Sequence, residues 1–139
     1  MRVPLLVYVP GQSPRHIVER RSAIDIVPTL LDVFGAPAPA GDDALSGQSL
    51  LGEWLGGSAG TRDVFIDMPA GPYNGDRQAF ISGDFKLVTS NSRPMGLFNL
   101  KTDPGETTNL TKDSALTEPA LEKMKAFRER LRVVKVKPQ

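Results

Sequence analysis

Three hydrophobic rhythms follow one another along the chain. Val3 to Val9 is continuously apolar and rich in β-branched residues, bounded by Pro10-Gly11. A strand buried on both faces reads this way, as at the centre of an α/β sheet. Such a strand needs neighbours on both edges and layers on both faces. The residues that follow do not supply them, so the pattern predicts a sequence that opens inside a larger sheet. Residues 12–22 are polar, carry Arg15, His16, Arg20 and Arg21, and predict a surface connection. Asp25 then reads as a helix N-cap, its carboxylate accepting from the free N–H groups of the first turn. A capping box from Ser22 to Asp25 is the competing reading, but it would set Pro28 deep in the helix, where a missing N–H is costly. Ile26, Leu30, Leu31, Val33 and Phe34 form the apolar surface of this helix, and Gly35 predicts a left-handed end.

Residues 36–62 change character, being rich in Pro, Gly, Ala and Ser, with one short amphipathic piece from Ser49 to Leu55. They predict a long surface connection and a boundary between layers. From Asp63 the rhythm is that of short strands: Val64 to Met68, Gln78 to Ser82, Phe85 to Thr89 and Leu97 to Leu100. Ser82-Gly83-Asp84 marks a tight hairpin and Asn74-Gly75 a turn. A small antiparallel sheet has one face to cover, and the last periodic segment provides the cover. Thr117 predicts its N-cap, with Glu118 and Pro119 in the first turn. Leu121, Met124, Phe127, Leu131 and Val134 recur at spacings of three and four and make one apolar stripe.

Composition adds little beyond excluding alternatives. The 139 residues suit one domain's worth of core, with 40% hydrophobic and 24% charged residues. A net charge of +1 gives no reason to expect nucleic acid or an anionic membrane as partner. Residues 111–139 hold eight Lys/Arg against four Asp/Glu, which reads as the solvated face of the last helix. No apolar run approaches the ~18 residues of a membrane span. The opening apolar run is short for a signal peptide, Pro4 and Pro10 interrupt it and no small-residue cleavage site follows, so compartment stays open. There is no cysteine, hence no disulfide framework, thiol nucleophile or thiolate metal site.

The remaining candidates for chemistry read as structural. His16 is the single histidine and sits among arginines in a polar connection. Asp42-Asp43 is a carboxylate pair, but a hard cation needs several oxygens converging from more than one segment. Gly56-Gly57-Ser58-Ala59-Gly60 lacks the Lys-Ser or Lys-Thr of a phosphate-binding loop. Asn109-Leu110-Thr111 has the form of a glycosylation sequon. Asp103-Pro104-Gly105-Glu106 predicts a type II turn with positive φ at Gly105, Asp103 receiving turn N–H groups. Lys86, in a hairpin strand, reads as an exposed lysine on the outer face.

Two ordered sets of residues carry a resemblance. The first runs from Arg2-Val3-Pro4-Leu5 and Pro10-Gly11 to Ser22-Ala23-Ile24-Asp25-Ile26-Val27-Pro28-Thr29-Leu30-Leu31-Asp32, then Gly35-Ala36-Pro37 and Gly47-Gln48-Ser49-Leu50. The second is Gly83-Asp84-Phe85-Lys86-Leu87, then Leu97-Phe98-Asn99-Leu100, Asp103-Pro104-Gly105-Glu106 and Asn109-Leu110. In that order they resemble the closing third of arylsulfatases, within the alkaline-phosphatase-like superfamily. The resemblance implies a fold: the end of an α/β domain (residues 1–60: terminal strand, helix and connection), then a C-terminal antiparallel subdomain with a terminal helix (61–139). It also implies sulfate-ester cleavage by a formylglycine beside calcium or a similar divalent cation. The family's C/S-x-P-x-R nucleophile motif and metal-holding carboxylates have no counterpart here, since Ser13-Pro14-Arg15 lacks the residue between serine and proline. No catalytic, cofactor-binding or metal-binding residue is carried over. Arg2, Pro4, Asp25, Pro28, Lys86, Asp103, Gly105 and Glu106 match as architecture.

The expectation is therefore a C-terminal sulfatase region, inactive alone, whose partner is the missing N-terminal segment or a second copy met through residues 3–9. An interaction module derived from a sulfatase is one alternative. The tail of a related phosphonate or phosphodiester hydrolase is another.

Overall fold

A computed structural model describes residues 3–41, 44–58 and 60–131. Arg2, Asp42, Asp43, Ala59 and Val134, named above, lie outside the described residues. The chain divides into two compact units, Met1–Gly60 and Thr61–Gln139.

In the first unit a 3-10 turn, Ala23–Asp25, leads directly into α1, Ile26–Val33, and a four-residue helix α2, Leu51–Trp54, follows after the connection. Asp25 is the N-cap residue of α1, as expected, but its carboxylate makes no cap bond to the first turn. Ser22 caps the 3-10 turn instead, and the Asp25 carboxylate reaches back to accept from the Ser22 N–H at 3.0 Å. Because the first turn is 3-10, Pro28 still falls in the first turn of α1, so the objection to a Ser22 start disappears. Gly35 ends the helix at φ +63°, with Ala36 N–H donating to Leu31 O (2.8 Å) and Gly35 N–H to Asp32 O (3.1 Å), the paired closure that satisfies these two last-turn carbonyls.

Residues 3–9 form no strand. A strand exists through pairing with a neighbour, and no other strand is present among the described residues of this unit. Leu6 and Tyr8 are 93% and 88% exposed, so the apolar run is uncovered. The same is true of α1: Ile26, Val27, Leu30, Val33 and Phe34 are all exposed, whereas the side chains it buries belong to Asp25 and Thr29.

The second unit is a four-stranded antiparallel meander in the order β1-β2-β3-β4, with β1 Val64–Met68, β2 Arg77–Ser82, β3 Phe85–Ser90 and β4 Arg93–Asn99. Gly83 at φ +55° makes the two-residue turn between β2 and β3. Asn91 and Ser92, both at positive φ, make the next, which extends β4 four residues earlier than expected. A register shift between Val88 and Thr89 accommodates Pro94 opposite Thr89.

One face is covered by α3, Ser114–Glu129. Phe65, Phe80, Leu87 and Leu97 share a register row, and Met124, Leu121 and Phe127 pack on it. The Phe127 ring lies 5.3 Å from Phe80 and 6.0 Å from Phe65. Rows of this kind hold the sheet through cross-strand pairs and the burial of each large side chain, worth about 1.5–3 kcal/mol apiece. The helix starts earlier than predicted. Asp113 is the N-cap residue, Thr117 lies inside with its hydroxyl donating to Thr111 O at 3.2 Å, and Pro119 falls within the helix.

Candidate functional site

Among the described residues, three clusters of polar side chains stand out, none of them centred on His16, which is exposed. In the first, α1 and residues 47–50 are stitched together through the buried side chains of Asp25 and Thr29. Asp25, 0% exposed, accepts from Ser22 N–H through Oδ2 and from Gln48 N–H through Oδ1 at 2.9 Å. Thr29, also 0% exposed, donates its hydroxyl to Asp25 O at 2.6 Å and accepts from Leu50 N–H at 2.9 Å. Ser49 Oγ donates to Asp32 at 2.6 Å. Gly47 lies so close to the Ile24 carbonyl that a Cβ would collide with it. The Asp25 carboxylate and the Thr29 hydroxyl answer backbone N–H groups of Ser22, Gln48 and Leu50, so the cluster holds a loop in place, with Ser49 and Asp32 at its exposed rim.

The second cluster centres on Glu53. Arg21 forms a two-pronged pair with its carboxylate at 2.9 and 2.7 Å, and donates further to Arg20 O and Gly60 O. Arg15 donates to Glu53 O, in the last turn of α2, and to Gly57 O beyond it. The arginines of the polar connection thus hold backbone. Side-chain exposure of 10% for Arg21 and 15% for Glu53 makes this a desolvated pair, in which losing one partner strands the other. Sequence reading missed it because the two residues are 32 positions apart.

The third cluster corrects the reading of Lys86. Its side chain is only 15% exposed, and Nζ meets both Glu106 oxygens at 2.8 and 2.6 Å. Glu106, not Gly105, holds the positive φ, at +57°. The 103–106 turn is therefore not type II, and the ion pair holds Glu106 in a backbone region that L-residues avoid. Asp103 behaves as expected, accepting from Thr107 N–H, Thr107 Oγ1 and Thr108 N–H. Those backbone bonds, Thr108's first and then Thr107's, hold its carboxyl below the usual aspartate range.

The chemistry of a metal-dependent ester hydrolase does not fit these residues. The sequence has no cysteine, and no group of three or more His, Cys, Asp or Glu side chains capable of holding a metal occurs among the described residues. No helix among them is long and apolar enough to cross a membrane.

A four-stranded meander covered by one helix, preceded by a short helical unit, is a mixed α+β arrangement shared with ester hydrolases acting on sulfur and phosphorus centres. The chain matches the choline-sulfatase of Rhizobium meliloti (strain 1021) with 31% identity over 112 residues, 81% of this chain and 22% of that protein. It superposes on the phosphonate monoester hydrolase of Agrobacterium radiobacter with a TM-score of 0.66 at 26% identity, covering 84% of this chain and 26% of that one. The fold is shared as well with BT4656, solved in complex with its substrate D-glucosamine-2-N,6-O-disulfate (TM-score 0.59, 23% identity, 76% and 22% coverage). No protein-family model matches. The chain is homologous to the sulfatases of the alkaline-phosphatase superfamily. It spans about a quarter or less of the length of these relatives.

Proposed function

We propose that this chain serves as the C-terminal region of a sulfatase-like sulfuric ester hydrolase and has no turnover by itself. The observation that carries the reading is the 31% identity to choline-sulfatase, extending over 81% of this chain but 22% of that enzyme. The uncovered apolar residues of 3–8 and of α1 support it, since a helix and a strand of an α/β domain bury such faces against the rest of the sheet. In this reading residues 1–60 complete a larger α/β domain and residues 61–139 are an appended subdomain. The partner is the N-terminal sulfatase segment.

The test is hydrolysis of a chromogenic aryl sulfate by the purified chain with added calcium, beside an aryl phosphate. No release above the buffer blank on either ester is the expected result. Turnover that survives repurification and follows the protein peak would overturn the reading, and His16 and the Asp42-Asp43 pair would be the first residues to replace. A second reading, the tail of a phosphonate or phosphodiester hydrolase, is favoured by the 0.66 TM-score and 26% identity to the phosphonate monoester hydrolase. Comparing an aryl sulfate with a phenyl phosphonate ester on the joined parent enzyme separates the two.

A further inference from the structure

In the sheet unit three buried side-chain oxygens meet no partner among the described residues: Asp76 Oδ1, Gln78 Oε1 and Thr89 Oγ1. Gln78 and Thr89 are 7% and 1% exposed, so bulk water does not serve them. The ladder gathers all three. Gln78 stands opposite Thr89 on β3 and opposite Asp67 on β1. Asp76 continues β2 by one position, because its carbonyl accepts from Asn91 N–H at 3.1 Å. Residues two apart along an extended strand share a face, which turns Asp76 to the side of Gln78 and Thr89. The Gln78 amide is oriented as well. Its Nε2 donates to Asp67 Oδ1 at 3.0 Å, and since a carboxylate only accepts, the amide oxygen is turned away from β1 toward β3.

The chemistry of the three atoms specifies the ligand. A carboxylate oxygen and an amide oxygen can only accept, and a threonine hydroxyl can donate. A group that satisfies all three offers two donors and one acceptor, which a single water does. Calcium would ask for about six to eight oxygens and has no use for the hydroxyl proton. We propose that one ordered water is built into this end of the sheet, donating to Asp76 Oδ1 and Gln78 Oε1 and accepting from the Thr89 hydroxyl. Such a water is part of the structure rather than of its hydration. It ties Asp76, the last residue of the connection from β1, to the interior of the sheet.

The experiment is a crystal structure of the 139-residue chain at about 1.8 Å resolution, paired with thermal melting of Thr89→Val. The expected density is one isolated peak within hydrogen-bond distance of all three oxygens. No peak, a direct Thr89–Gln78 hydrogen bond, or a peak with five or more oxygens at cation distances would each overturn the proposal. Valine keeps the shape and β-preference of threonine but removes the donor. With the water in place, Tm falls by roughly 4–8 °C, the shift that losing one buried hydrogen bond brings in a domain of this size. Without it the substitution removes an unpaired hydroxyl, and an unchanged or higher Tm would overturn the assignment. If the variant does not fold, the density of the parent chain decides alone.

Discussion

Replacing Asp25 with asparagine isolates one physical question, because the two side chains have the same shape. In the parent, Oδ2 accepts from Ser22 N–H at 3.0 Å and Oδ1 from Gln48 N–H at 2.9 Å, both with no access to water. Asparagine can answer one of these donors with its oxygen. Whichever way the amide turns, its NH2 group faces the other backbone N–H, leaving two donors opposed. One charge-assisted bond is lost, worth about 1.5–3 kcal/mol, and the second loses its charge. The loss is local, so hydrogen exchange is the fitting assay. At tenfold per 1.4 kcal/mol, amide protection at Ser22 or Gln48 falls roughly 10- to 150-fold. The Leu50 amide, held by Thr29, falls with them because the same loop carries it. Protection unchanged within threefold at all three amides would refute the claim that this carboxylate fastens residues 47–50 to α1. A drop at Ser22 alone would show that only the helix entry depends on it.

Four further outcomes follow from the same structure. A double-mutant cycle of Lys86→Met with Glu106→Gln, read by urea denaturation, returns a coupling of about 1–2 kcal/mol; a coupling below about 0.5 kcal/mol would place the pair with ordinary surface ion pairs. Gly47→Ala destabilises the first unit by about 1–3 kcal/mol, because the added Cβ meets the Ile24 carbonyl and the loop cannot yield without breaking the Asp25 and Thr29 bonds. The Asp103 carboxyl, titrated by NMR, shows a midpoint below the ordinary 3.8. Since its folded pKa is depressed, its contribution to the 103–108 turn is complete above 3.8 and fades as pH falls through the lower folded value. Phe34→Ser, at an 80% exposed position, changes stability by less than about 0.5 kcal/mol yet lowers self-association in sedimentation velocity; a large loss of stability would mean the α1 face is already covered.

The sequence was most legible where one local rule decides the outcome. Alternation and Ser82-Gly83-Asp84 sufficed for the central hairpin, Gly35 for the end of α1, and the three-four spacing of Leu121, Met124 and Phe127 for the covering helix. Legibility failed where tertiary partners override local preference. Val3 to Val9 has the composition of an inner strand, but the described residues of its own unit hold no strand to pair with. Asp25 caps α1 in place but gives its carboxylate to Ser22 and Gln48 instead of the first turn, and Asp113 displaces Thr117, whose hydroxyl donates to the Thr111 carbonyl. Glu106, and not the glycine beside it, adopts positive φ because Lys86 is waiting across the turn. The Arg21–Glu53 pair left no local trace at all. The ordered motifs spoke for the family, since they record whole turns and caps rather than single contacts.

Asn109 carries the glycosylation triplet noted in the sequence, and both ends of its side-chain amide are bonded. Nδ2 donates to Met95 O at 3.0 Å, while Oδ1 accepts from Leu97 N–H at 3.2 Å and Thr111 N–H at 3.0 Å. The nitrogen to which a sugar would be attached is the one that clamps the chain beside β4. A sugar would replace one of the two Nδ2 hydrogens and leave the other, so a glycan is compatible with the folded edge only if the hydrogen facing Met95 O is the one retained. Attachment in the other sense would cost the clamp its donor while leaving Oδ1 on Leu97 and Thr111.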